Sequence, residues 1–142
     1  MIDIITNTID VVGTMFFKDG KLLIDKPRKR PTFQMVGGRV EENETIFAAA
    51  VRECREELGS KAIFDSKKIS LVADFFDKAT SDANLTIHMY VFKYEGDLLG
   101  ELTTSEEIEG FMWFGLNDDQ TLLSNTIKHK VFPYAVEKGL IY

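Results

Sequence analysis

A single cysteine leaves the chain no internal disulfide to form, which fits a reducing cytoplasm. There is no apolar run of membrane-spanning length, and the opening MIDIITNTID lacks the basic region and apolar stretch of a signal peptide. A cytoplasmic protein with no membrane partner is the expectation. Basic residues are short as well: 17 Lys and Arg against 23 Asp and Glu give a net charge of −6. That balance disfavours a broad nucleic-acid surface, and an anionic substrate then needs a metal or a local basic cluster. No internal repeat, low-complexity tract or linker divides the chain. At 142 residues and 44% hydrophobic it can bury a sizeable core, but it has little room for two domains, so residues 1–142 are read as one.

What is present reads as strands around one strong helix. Residues 11–17 are rich in β-formers, and Lys18-Asp19-Gly20-Lys21 reads as a hairpin turn into residues 22–24. Residues 26–31 form a basic, proline-bounded loop. Residues 33–36 read as a short strand feeding a glycine turn at Gly37-Gly38, followed by a helix from about Thr45 to Leu58. Residues 69–76 and 85–94 read as strands joined by the polar loop 78–84, residues 111–114 as another strand, and residues 127–138 as a terminal helix interrupted or started by Pro133. The pattern implies an α+β or α/β sandwich.

The densest information lies in residues 38–60, GRVEENETIFAAAVRECREELGS, with six carboxylates, three arginines and two framing glycines. At roughly 100° per residue, Glu53, Glu56 and Glu57 share one arc of the helix. Phe47, Val51, Cys54 and Leu58 share another, suited to docking on a core, and Cys54 reads there as core filler rather than a nucleophile. Like charges at these spacings repel by about a few tenths of a kcal/mol per pair on a bare helix. The stripe therefore reads either as a seat for an absent cation, with hard oxygen ligands suited to Mg²⁺ or Mn²⁺, or as a solvated acidic face balanced by Arg52 and Arg55. Gly59 follows Leu58 where a helix is expected to end.

The order Gly38, five residues, Glu44, seven residues, Arg52-Glu53-Cys54, one residue, Glu56-Glu57, one residue, Gly59 resembles the signature of the Nudix hydrolase family, G-x5-E-x7-R-E-U-x-E-E-x-G-U, with U a bulky aliphatic. Every charged and glycine position matches. Cys54 is smaller than the usual aliphatic and Ser60 replaces one, and neither change removes a ligand. The resemblance covers residues 38–60 only. It implies a mixed β-sheet sandwiched between helices and hydrolysis of phosphoanhydride bonds with Mg²⁺ or Mn²⁺ as cofactor. It also implies metal binding by Glu56 and Glu57, with Glu53 as metal ligand, general base or both. Arg52 resembles the family arginine that orients the catalytic carboxylates, its other reading being a surface salt bridge. Glu44, near the helix start, takes a supporting role there and also gains from the helix dipole.

Relatives often complete the metal cluster with a main-chain carbonyl from the glycine turn, here Gly38, and a downstream acid before a strand. Glu107 is the first candidate for that acid and Glu106 the second, within a run that reads equally as solvated charge. Arg28 and Arg39 are the candidates for phosphate contact. Compact length and a tail containing Met112-Trp113-Phe114, Asp118-Asp119 and Asn125 resemble MutT-like nucleotide-pool enzymes. In those relatives an Asn or Asp near the terminal helix contacts the purine edge, a role open to Asn125, which also reads as a helix cap. The expected partner is a small-molecule nucleotide, for example an oxidised purine triphosphate such as 8-oxo-dGTP, acted on by a monomer or homodimer. ADP-ribose, dinucleoside polyphosphates and nucleotide sugars fit the same chemistry. A nucleotide-sensing module without turnover is the alternative outside catalysis, against which stands the retention of Glu53, Glu56 and Glu57.

Overall fold

A computed structural model describes residues 8–79 and 84–142. Residues 1–7, read above for leader character, and positions 80–83 of the polar loop lie outside the described residues. The strands are β1 (Thr8–Met15), β2 (Phe17–Lys18), β3 (Lys21–Pro27), β4 (Gln34–Arg39), β5 (Ala62–Ile63), β6 (Ile69–Lys78), β7 (Thr86–Tyr94), β8 (Leu99–Gly100) and β9 (Ile108–Phe114). Helix α1 spans Ile46–Leu58, and helix α2, Phe132–Glu137, is preceded by a π-helical segment over Ile127–Val131.

Seven strands make one mixed sheet in the order β2-β3-β4-β1-β7-β6, with β9 paired to β3. β1 runs antiparallel to β4 and parallel to β7. α1 covers one face, seating Ala49, Ala50, Cys54 and Leu58 against Val12, Leu23, Val36 and Phe92. The terminal helical segment covers the other, where Ile127, Val131, Phe132 and Ala135 pack on Met15, Leu22, Ile24 and Met35. This is the α+β sandwich expected from the sequence. Removing these two apolar faces from water is what drives both helices onto the sheet. Among the described residues no helix is long and apolar enough to cross a membrane.

The local signals fall where the residues placed them, with four differences. Thr45 caps α1, its hydroxyl accepting the Ala48 amide at 3.1 Å, and the β2–β3 turn has positive φ at both Asp19 and Gly20, the geometry that matches hairpin twist. Gly37 and Gly38, however, do not form a turn; they lie inside β4. Neither has a positive φ, and the glycines answer instead to close approach: a β-carbon on Gly37 would be driven into the carbonyl oxygen of Val12 on β1, and one on Gly38 would lie 2.6 Å from Glu53 Oε1. Phe47 does not share the burial of the apolar stripe; it is 43% exposed in the first turn of α1 and meets Phe92 edge-on, while Ala49 and Ala50 fill the core in its place. The terminal helix widens into a π turn before Pro133, whose missing N–H removes a bond from the ladder; the Phe132 N–H reaches back to the Ile127 carbonyl. The pair β5–β8 leaves no mark in the sequence, since two residues per strand give no readable alternation.

Gly37→Ala tests the close approach. The added methyl has to push β1 and β4 apart, and about 1 to 3 kcal/mol of stability is expected to be lost, read as a lower midpoint in urea or thermal unfolding. An unchanged midpoint would contradict the packing described.

Candidate active site

Arg52, on the second turn of α1, organises the acids around it. Its Nε and Nη2 donate to the two oxygens of Glu44 at 2.7 and 3.0 Å, a two-point grip that a lysine has no geometry to make. Nη1 donates to Glu53 Oε1 at 2.8 Å and to Glu56 at 3.2 Å, and Nη2 also reaches the main-chain carbonyl of Arg39 at 3.0 Å. One guanidinium thus ties the start of α1, the end of β4 and two acids of the stripe together. Glu44 also accepts the Glu41 amide at 2.9 Å. The Arg52 hydrogen bonds, followed by that amide, hold its carboxyl down at about 2, against an ordinary 4.5.

The third acid behaves differently. Glu57 is 6% exposed, and its Oε1 accepts the Gly37 amide at 2.8 Å. It faces Asp25, a wholly buried acid on β3 whose polar neighbours are Glu57 itself and Gln34 and whose oxygens receive no hydrogen bond of good geometry. Burial raises both carboxyls; the charge of Asp25 raises Glu57 further, while the contacts of Asp25 with Glu57 and Gln34 pull its own value part of the way back. Glu53 is raised as well, mainly by burial and against the pull of Arg52, with Glu56 and Glu107 adding to the rise. Cys54, deep in the core beside them, has its thiol pushed up to about 12 by burial, which suits filler and not a nucleophile.

These groups border a cavity of about 430 Å³. Its lining includes Gly38, Arg39, Glu53, Glu57 and Glu107 together with the apolar Ile9, Leu85, Ile87 and Met89. Of the acids before β9, Glu107 reaches the cavity while Glu106 lies beside Arg28 outside it. Glu44 and Arg52 stand behind the wall, and Glu56 is the exposed member of the stripe, turned to Arg52. Arg28 donates through Nε to the Ser105 carbonyl at 2.9 Å and does not line the cavity, whereas Arg30 does. Asn125 is exposed and off the wall; its neighbours Ser124 and Thr126 are on it. Reading the sequence missed Asp25, Arg30, Gln34, Ser124 and Thr126. Arg30 was present in the basic loop but indistinguishable there from its neighbours.

Among the described residues no three His, Cys, Asp or Glu side chains are already gathered closely enough to enclose a metal ion. Arg52 draws Glu53 and Glu56 toward itself, and Gly37 holds Glu57. The donor set is nevertheless suited to a hard divalent cation. It is all oxygen, two of its acids are buried without a side-chain cation of their own, and Gly38 leaves the backbone open against Glu53 where a β-carbon would crowd it. A cavity lined by both carboxylates and apolar residues can hold a molecule that joins a phosphate chain, through a cation, to a flat organic group.

The NUDIX domain model matches residues 7–134 of the chain. A search among curated proteins gives no significant match. Among solved structures, the chain is similar to the E. coli ORF135 protein at 23% identity and a TM-score of 0.70, over 93% of this chain and 91% of that one. It is similar to a MutT NUDIX hydrolase from Burkholderia pseudomallei at 20% identity and a TM-score of 0.67, over 94% and 95%. It is also similar to an ADP-ribose pyrophosphatase from Streptococcus suis at 19% identity and a TM-score of 0.61, over 93% and 89%. At these identities the likenesses speak for the fold.

The grip of Arg52 on Glu44 predicts a pH signature. Because the folded-state value of Glu44 lies below its ordinary 4.5, the stabilisation is complete above that pH and fades as pH falls toward about 2. Glu44→Gln is therefore expected to lower the unfolding midpoint at about pH 7, and the gap from the parent chain is expected to shrink by about pH 3. A gap of constant size across that range would mean that the charge of Glu44 contributes nothing to stability.

Proposed function

Since this chain belongs to the Nudix hydrolase family, we propose that it cleaves the phosphoanhydride of a nucleoside diphosphate-linked small molecule, with a nucleoside triphosphate giving the monophosphate and pyrophosphate as the leading substrate class. The observation that carries this is the mixed lining of the cavity, where Glu53, Glu57, Glu107, Gly38 and Arg39 occur together with the apolar Ile9, Leu85, Ile87 and Met89. Phosphoanhydride hydrolysis needs neutralised phosphates, an aligned water and a group to take its proton. Mg²⁺ or Mn²⁺ held by Glu53, Glu56, Glu57, Glu107 and the Gly38 carbonyl supplies the neutralisation when bound.

The remaining work belongs to the side chains. Arg52 holds Glu53 by Oε1, leaving Oε2 to accept a proton from the attacking water. Arg39 and Arg30, on the cavity wall, are placed for the phosphate oxygens. Arg28, committed to the Ser105 carbonyl, steadies the loop that carries Glu107. A base set among Ile87, Met89 and Leu85 has Ser124 and Thr126 for its polar edge, which serves recognition better than the exposed Asn125. An oxidised purine such as that of 8-oxo-dGTP is the preferred example. The structural likeness to an ADP-ribose pyrophosphatase keeps ADP-ribose as the second reading.

A panel of nucleoside triphosphates, ADP-ribose, dinucleoside polyphosphates and nucleotide sugars, run with Mg²⁺ and with Mn²⁺, tests the proposal. A triphosphate is expected to give monophosphate and pyrophosphate; diphosphate and orthophosphate as first products would contradict it. Glu57→Gln is expected to keep the fold and lose about a thousandfold in turnover, and near-normal turnover at saturating Mg²⁺ would remove Glu57 from the site.

A further inference from the structure

Asp25 is a buried acid that forms no ion pair among the described residues. It lies mid-strand in β3, opposite Gln34 of β4 and Phe111 of β9, so its backbone is fixed on both sides. Its neighbour Leu23 packs under α1 while Ile24 packs on the opposite face; strand alternation therefore turns Asp25 toward α1 and Glu57. The side chain is fully buried, no hydrogen bond of good geometry reaches either oxygen, and its polar neighbours are the Gln34 side chain and the Glu57 carboxyl. Two cations of the adjoining elements are engaged elsewhere: Lys26, next along β3, with the Pro27 carbonyl and Glu109, and Arg52 of α1 with Glu44, Glu53 and Glu56. A buried carboxylate with no cation beside it costs stability, and replacing it with a neutral side chain of similar size is then expected to be neutral or stabilising. Its placement therefore answers to something the fold alone does not contain.

We propose that Asp25 is a positioning residue of the divalent-cation centre, placed behind Glu57 so that its negative charge strengthens the hold of Glu57 on the cation. Gly37 occupies Oε1 of Glu57 and leaves Oε2 for the ion, and the charge of Asp25 acts on that ion through the same carboxylate. Such supporting partners commonly set metal affinity by about ten- to a hundredfold. The inference rests on the reading that Glu57 holds a metal ion, and its test separates the two.

Mn²⁺ binding to the full chain, followed by the electron paramagnetic resonance signal of free Mn²⁺, is compared for the parent, Asp25→Asn, Asp25→Val and Glu57→Gln, alongside melting curves without metal. The expected result is that both Asp25 variants melt at or above the parent when metal-free yet bind Mn²⁺ about tenfold or more weakly. Parent-like Mn²⁺ affinity in the Asp25 variants, with Glu57→Gln weakened, overturns the role of Asp25 alone. Parent-like affinity in Glu57→Gln overturns the metal reading of Glu57 and this proposal with it. Asp25 variants that are unfolded or markedly less stable without metal would also overturn the proposal, because the charge would then serve the fold.

Discussion

The structure turns on where Glu57 sits. α1 is held to the sheet by Ala49, Ala50, Cys54 and Leu58, and the turn that seats Leu58 forces the adjacent carboxylate to 6% exposure against β3 and β4. Burying an ion costs several kcal/mol in effective terms unless it is paired. The one backbone amide given to Glu57, that of Gly37, repays only part. Asp25 on the opposite side adds to the debt. Arg52, on the same helix, is fully engaged on the outer side with Glu44, Glu53 and Glu56. Charge is thus compensated on one flank of α1 and left uncompensated on the other, and the uncompensated flank opens into the cavity.

That division separates scaffold from site. The Arg52 network is a closed set of hydrogen bonds which fixes Glu53 and fastens the start of α1 to the end of β4 through Glu44 and the Arg39 carbonyl. The Glu57 and Asp25 side is the part where stability is given up, as is common where local rules are broken for function. The two glycines of β4 serve both halves, Gly37 letting β1 approach and donating to Glu57, Gly38 making room for Glu53.

Much of this was legible in the sequence because it is written in local spacing. The framing glycines, the Thr45 start, the Gly59 end and the three acids on one helix arc are all properties of residues 38–60, and the flanking strands showed as β-rich runs. What was not legible depends on partners distant along the chain. Asp25 reads as the polar end of an apolar run entering a basic loop; only the pairing of β3 with both β4 and β9 makes it interior. The glycine pair reads as a turn because glycine often marks one, whereas its reason here is the approach of β1, which no local pattern records. Arg30 rather than Arg28 faces the cavity because Arg28 is captured by the Ser105 carbonyl, a contact 77 positions away. Ser124 and Thr126 flank Asn125 on the wall because of where the terminal helix begins, and its π turn follows from Pro133 only once the helix is known to continue through it.

The central claim is that the acids at the β4–α1 junction seat a divalent cation. The most direct measurement is paramagnetic broadening of backbone amide resonances as Mn²⁺ is added in small steps to the isotope-labelled full chain. The account predicts that Gly37, Gly38, Glu53 and Glu57 broaden first and that Mg²⁺ in excess restores them. Broadening that begins instead at exposed acids away from the cavity, such as Asp97 and Asp119, with the junction unaffected, would contradict it.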